Sequence, residues 1–189
     1  MDSKFMTAEE AVGLIADGTT LGLVGGGGGL CEASLLHEAC ESRFLSTGHP
    51  RDLTVLHALG IGDRNKTGMN RFAHRGMVRK VIGGHWVWSP RKQQMAAAEE
   101  IEAYVLPGGV AMQLLRKIAA GRPGLITHVG LGTFCDPRKE GGRMNGAARD
   151  TPVKVIEIGG REYLRYLPFP IRACLLNGSI ADDDGNMRG

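Results

Sequence analysis

Apolar and polar positions change period along this chain, and the changes divide it into alternating helices and strands. Ala8, Ala11, Val12 and Ile15 recur at helical spacing behind Thr7-Ala8-Glu9-Glu10, a capping box with Thr7 as N-cap and Glu10 three residues on. Asp17-Gly18 ends that helix, and the apolar run over 19–24 predicts a strand. Leu36, Cys40 and Phe44 share one face of a second helix over 32–45. Further strands are predicted at 52–59, 80–82, 101–106 and 126–131. Between them lie a helix over 91–100, with Ser89 as N-cap and Pro90 in the first turn, and an amphipathic helix carrying Val110, Leu114, Leu115 and Ile118, closed by Gly121. After Asp150 the pattern becomes a β-hairpin, 153–158 and 162–166 around Gly159-Gly160, then a strand over 173–176.

Strands alternating with helices through short loops predict an α/β fold, a parallel sheet covered on both faces. No linker, repeat or charge block divides the chain, so it reads as one domain. Ligands of such sheets bind at loops beyond the C-terminal strand ends. Four loops occupy that position, 25–29, 60–70, 83–89 and 130–145, and all are glycine-rich with polar groups. Their convergence on one rim would make a site.

The first of these is the hardest to explain by packing. Gly25, Gly26, Gly27, Gly28 and Gly29 follow the strand over 19–24 and precede a helix, which leaves backbone N–H groups open to close approach. No Lys followed by Ser or Thr stands where a nucleoside-triphosphate loop needs it. The acids a dinucleotide site would use, Glu38 and Glu41, fall in a helical pattern instead.

Composition narrows the class. At 189 residues, 42% apolar and 23% charged, the chain can build one sizeable core. Its net charge of +3 is too small for a nucleic-acid partner and suits a small anionic ligand. Cys31, Cys40, Cys135 and Cys174 form no metal-binding spacing, so no metal site is expected, and they point to a reducing compartment. Cys31 reads as a small buried filler or a reactive thiol, and His128 as core. Met1-Asp2-Ser3-Lys4-Phe5 lacks a signal peptide's apolar core and no stretch could span a bilayer, so the expected location is cytoplasmic.

Several segments recur in a known order: Gly60-Ile61-Gly62-Asp63, Val81-Ile82-Gly83-Gly84-His85-Trp86, Leu106-Pro107-Gly108-Gly109, and Thr127-His128-Val129-Gly130-Leu131-Gly132-Thr133-Phe134 with Asp136-Pro137-Arg138. Together with Asp17-Gly18 and the glycine turn they resemble family I coenzyme A transferases, nearest the propionate/acetate and acetoacetate branch, over almost the whole chain. The resemblance implies a three-layer α/β/α domain with a mostly parallel six-stranded sheet, shared with ribose-5-phosphate isomerase and glucosamine-6-phosphate deaminase, plus a C-terminal β-hairpin. It implies transfer of CoA from an acyl-CoA to a free short-chain carboxylate such as acetate or propionate, or to a ketone-body acid. No cofactor is held permanently; coenzyme A or acyl-CoA is a substrate.

In that family a glutamate of a Glu-x-Gly motif in a C-terminal (β) half is the nucleophile. Glu140-Gly141-Gly142 and Glu157-Ile158-Gly159 match the motif only in ordinary loop and hairpin sequence and are set aside. The nucleophilic glutamate is therefore expected beyond Gly189. Residues 1–189 are expected to be the N-terminal (α) domain of a longer two-domain chain, with no catalytic residue of its own and no activity alone. Its expected partners are the C-terminal half and other copies of itself, with no nucleic acid and no membrane. The implied substrate- and CoA-binding positions are Gly25, Gly26, Gly27, Gly28, Gly29, Gly62, Asp63, Asn70, His85, Gly132, Thr133 and Phe134. Turn stabilisation competes as the role of Asp63 and Asn70, and a structural role as that of His85. Trp86 and Trp88 could wall an acyl pocket or cover the core. Arg71, Arg75, Arg79 and Lys80 could steer CoA or form a solvated face. The family's phenylalanine after two glycines, and a later proline, are replaced here by glycine and Ala33-Ser34. A non-catalytic assembly module and a CoA-thioester hydrolase relative are the competing functions.

Overall fold

The computed structural model describes residues 4–188. Two sequence expectations touch positions outside the described residues: the N-terminal reading at Met1, Asp2 and Ser3, and Gly189, the boundary beyond which the nucleophilic glutamate is expected. Thr7 opens α1 (Ala8–Gly13) with both halves of the predicted capping box in place: its side chain accepts the Glu10 N–H, and the Glu10 carboxylate accepts the Thr7 N–H. β1 (Thr20–Leu23), β2 (Leu53–His57), β3 (Val78–Gly83) and β4 (Glu102–Val105) follow, separated by α2 (Ser34–Thr47), a short 3-10 helix (Gly68–Phe72) and α3 (Pro90–Ala97). After α4 (Gly108–Ala119) come β5 (Leu125–Thr127), the hairpin β6 (Val153–Ile158) and β7 (Arg161–Tyr166), then β8 (Ala173–Leu175). A small antiparallel pair, β9 (Ile180–Ala181) and β10 (Met187–Arg188), closes the described chain.

The central sheet is parallel, in the order β4-β3-β2-β1-β8. Neighbouring residues alternate between its faces. Val55, Val81 and Ala103 pack with α1, α2, the 3-10 helix and α3, through Val12, Cys40, Phe72 and Met95. Leu56, Ile82 and Tyr104 pack on the other face with Val110 and Leu114 of α4 and with Val153, Leu164 and Tyr166 of the hairpin. Both faces are buried, as parallel strands require.

Several sequence expectations change. The sheet has five strands rather than six, because β5 leaves it and pairs antiparallel with β7 in a separate sheet, β5-β7-β6. The strand expected over 126–131 stops at Thr127, whose Oγ1 accepts the Val129 N–H and starts a turn; His128 is accordingly exposed rather than core. The free edge of β4 is instead covered by the segment around Arg143, which runs antiparallel through Val105 N–H to Gly142 O and Met144 N–H to Ala103 O. Ser89 precedes α3 as expected but does not cap it: its Oγ donates to Ile61 O at 2.6 Å. Cys31 is exposed, in a left-handed conformation at φ 53°, and not a buried filler.

Lys92 of α3 is wholly buried, its Nζ donating to Phe72 O at 2.8 Å, and burial pushes its pKa down to about 7. An amine that is easier to deprotonate folded than unfolded favours folding at high pH. That advantage is lost as pH falls from the free-lysine value of 10.5 toward about 7. Lys92→Met, similar in length and without charge, should therefore stabilise the chain at pH 6.5 by a few kcal/mol more than at pH 10. Denaturant unfolding at the two pH values measures this, and an equal effect at both would contradict it.

Candidate functional site

Three of the four loops meet at the C-terminal ends of β1, β2 and β3. Gly28 N–H donates to Gly62 O at 2.9 Å, which joins the first loop to the second. Arg64 N–H donates to Trp88 O at 3.0 Å, and Asn70 Nδ2 donates to the carbonyls of Thr67 and Trp88, which joins the second to the third. Close approach here depends on bare backbone. A Cβ on Gly27 would overlap the Trp88 indole, and one on Gly60 would strike Trp88 and lie 2.6 Å from His85 Nδ1. Trp88 is half-buried between these glycines, with the Arg64 guanidinium 4.6 Å over its ring.

The amides of the glycine turn are not equivalent. Gly26 donates to Leu30 O at 2.8 Å and Gly28 to Gly62 O. Gly27, half-buried against Trp88, donates no hydrogen bond within the described residues. An open N–H held beside an aromatic wall is the arrangement that accepts a developing oxyanion.

The other expected positions separate into roles. Asp63 accepts the N–H groups of Asn65, Lys66 and Thr67, and Asn70 is buried with its amide spent on backbone, so both shape the loop. Burial raises the Asp63 pKa, but the Thr67, Asn65 and Lys66 amides outweigh it and leave it lowered overall. His85 is exposed on the rim beside Gly60. Trp86 is buried, with the ring of His57 at 6.2 Å; burial takes the His57 pKa down to about 4. Gly132, Thr133 and Phe134 do not join the glycine turn. They belong to a turn where Gly132 N–H donates to Asp136 and Thr133 Oγ1 to Gly130 O, beside the end of β4. At sheet spacing β4 stands three strands, about 14 Å, from β1. Arg71, Arg75, Arg79 and Lys80 are each ion-paired, with Glu41 and Glu38, Glu100, Glu102, and Asp150 and Glu102 respectively.

One buried acid at the rim was missed in the sequence. Glu32 precedes α2 and is 5% exposed, its Oε1 accepting the Gly62 N–H at 2.6 Å. Burial raises its pKa, the Gly62 N–H opposing and the Asp63 charge adding to the shift. A cleft of about 400 Å³ between Thr20, Arg79, Tyr104 and Asp150 lies at the opposite strand ends, and its cations are already paired.

Known proteins share this architecture. The family model for coenzyme A transferase matches residues 5–188, and the chain belongs to that family. It is 42% identical over 186 residues to the caffeate CoA-transferase of Acetobacterium woodii, covering 98% of this chain and 35% of that protein. It is 32% identical over 188 residues to the acetate CoA-transferase subunit alpha of Escherichia coli (strain K12), covering 99% of this chain and 75% of that subunit. A crystal structure of the acyl-CoA transferase YdiF from Escherichia coli O157:H7, a thioester complex with CoA, superposes with a TM-score of 0.94 at 37% identity, covering 96% of this chain and 36% of that one. The chain thus spans about a third of the longer relatives it matches.

If Gly27 is bare because Trp88 needs the space, Gly27→Ala should destabilise by roughly 1–3 kcal/mol. Adding Trp88→Ala should recover most of that loss. A double-mutant cycle on thermal unfolding measures the coupling, and purely additive losses would remove the contact from the argument.

Proposed function

We propose that this chain is the N-terminal (α-type) part of a short-chain acyl-CoA:carboxylate CoA-transferase that works through a glutamyl-CoA thioester. The open Gly27 amide at the meeting of three loops is the observation that carries this reading. The rim supplies an oxyanion donor beside an aromatic wall, while its carboxylates Asp63 and Glu32 are each bonded to loop backbone. Glu140 and Glu157 are solvent-exposed, and Glu157 stands on the hairpin opposite Glu162. The nucleophilic glutamate is then contributed by a C-terminal half, beyond Gly189.

In this scheme the glutamate carboxylate attacks the thioester carbonyl, CoA thiolate leaves, and an acyl-glutamyl anhydride forms. The thiolate attacks the glutamyl carbonyl of the anhydride, releasing the first carboxylate and leaving the glutamyl-CoA thioester. The accepting carboxylate attacks that thioester to form a second anhydride and thiolate. Attack of the thiolate on its acyl carbonyl gives the new acyl-CoA and restores the glutamate. Each tetrahedral oxyanion needs a fixed donor, and the glycine rim provides it. Four free cysteines, Cys31, Cys40, Cys135 and Cys174, support a reducing, cytoplasmic setting. Among the described residues no helix is long and apolar enough to cross a membrane.

The test is intact mass after incubation with acetyl-CoA and propionate, on this chain and on the product of the full reading frame. A CoA adduct on a glutamate outside this chain, with propionyl-CoA formed by the longer protein only, is the expected result. Turnover by the 189-residue chain alone would overturn the assignment of the nucleophile.

An apolar cleft of about 120 Å³ opens beside Gly25 between Val24, Leu59, Met112 and Cys174, and Val24, Leu59 and Met112 are each about half exposed. Without a partner half such a surface favours association. Sedimentation should show concentration-dependent oligomers, and a monomer at all concentrations would refute this.

A further inference from the structure

Glu32 combines features that packing alone does not account for. It is almost fully buried, one carboxylate oxygen is bonded to Gly62 N–H, and the other, Oε2, is buried with no hydrogen-bond partner. A buried acceptor left unpaired costs roughly 1–3 kcal/mol or more. An apolar side chain of similar size would fill the same space without that cost. The surroundings are also fitted to it. A Cβ on Gly25 would lie 2.6 Å from Glu32 Cγ, and one on Gly68 would lie 2.7 Å from Oε2.

The carboxylate performs one task that an apolar residue cannot: it holds Gly62. With its N–H fixed by Glu32, Gly62 presents its carbonyl to Gly28 N–H at 2.9 Å. The relay Glu32–Gly62–Gly28 holds the turn next to the Gly27 N–H, which donates no hydrogen bond within the described residues. Glu32 itself is almost fully buried, which leaves it little surface for direct contact with a ligand.

We propose that Glu32 is a positioning residue for the glycine turn, holding Gly62 and through it Gly28 so that the Gly27 amide faces the reacting oxygen. Its catalytic part rests on the transferase reading, whereas its structural part does not. Asp63, from the 60–70 loop, is the charged group acting on Glu32. The N–H groups of Gly62 and Gly29 favour the ionised form, and no Lys, Arg or His pairs with it among the described residues. Because an acid whose pKa is raised by folding binds a proton more tightly in the native state, ionised Glu32 lowers stability as pH rises above its ordinary value of 4.5. Glu32→Gln should therefore gain stability over the native chain as pH rises from 4.5, with no gain below it.

Nuclear magnetic resonance of the 189-residue chain tests the structural part. The Gly62 amide proton should shift with pH in the native chain and stay flat in Glu32→Gln. Glu32→Ala should speed amide exchange at Gly62 and Gly28 by about tenfold or more, with Val55 and Val81 unchanged. A Gly62 shift that ignores pH in the native chain, or unchanged protection of Gly28 in the alanine variant, overturns the proposal; if the alanine variant does not fold, the Gly62 titration and the glutamine variant decide. In the full-length transferase, Glu32→Ala should lower kcat by about tenfold with KM for acetyl-CoA within about twofold, since the amide acts on the transition state. Glu32→Gln, whose side-chain oxygen can still accept the Gly62 N–H, should recover most of that loss. Unchanged kcat would reduce Glu32 to a structural role. Absence of transfer by the native full-length protein would refute the transferase reading and leave the resonance tests to judge Glu32.

Discussion

The constraint on which the rest depends is that β1 to β4 run parallel while both of their faces are buried. Parallel strands cannot be joined by tight hairpins, so every connection must cross the sheet and return on a face. Helices and the 3-10 turn take those crossings, and apolar alternation such as Val55 with Leu56, or Val81 with Ile82, supplies a core on each side. All the strand-to-helix loops then fall at one edge. The glycine turn, the 60–70 loop and the loop bearing Trp88 are neighbours because β1, β2 and β3 are neighbours.

At that edge the chain places backbone where other folds place side chains. Gly27 lies against Trp88, Gly62 against Asn70 and the Trp88 carbonyl, and Gly84 against the Ala58 carbonyl. Three glycine-rich loops can approach this closely only if few side chains stand between them. The result is a surface of peptide dipoles with one aromatic wall and one exposed guanidinium, Arg64, stacked on it. Such a surface suits the binding and polarising of oxygen atoms, and in the proposed reaction it supplies donors while the attacking carboxylate comes from elsewhere. The division of labour in the proposed reaction, donors from this domain and a carboxylate from another, follows from that composition.

Much of this was legible in the sequence. The capping box at Thr7, the strand before the five glycines, Pro90 at the start of α3 and the Gly159-Gly160 hairpin are local signals, and each stands where its chemistry puts it. What was not legible depended on partners distant in the chain. Leu125-Ile126-Thr127 is a sound strand segment, but nothing local says that it pairs with β7 and abandons the parallel sheet. For the same reason nothing local shows that the turn of Gly132, Thr133 and Phe134 lies beside the end of β4, apart from the glycine turn. Glu32 looked like the polar start of a helix, since an acid near a helix N-terminus is commonplace. Only the fold reveals Gly62 above it. The one available signal was negative: Gly25 is bare for no reason local to it, since its φ is ordinary and a Cβ there would meet Glu32.

Three of the buried ionisable groups show where stability has been traded for this arrangement; another, His37, is buried with neither ring nitrogen hydrogen-bonded among the described residues and secures no backbone. Lys92 and His57 are both easier to deprotonate folded than unfolded, so they penalise the fold as pH falls. Glu32 has the opposite sign and penalises it as pH rises. None of the three has a buried counter-charge among the described residues; each is held by backbone, Lys92 by the Phe72 carbonyl, His57 by the Leu59 carbonyl and Glu32 by the Gly62 amide. Charges meant only to stabilise would be paired with one another, as Arg71 is with Glu41. These instead secure loop backbone at the ends of β2 and the 3-10 helix and in the 60–70 loop. The fold tolerates their desolvation because the rim, which has too few side chains to pack itself, needs fixed points beneath it.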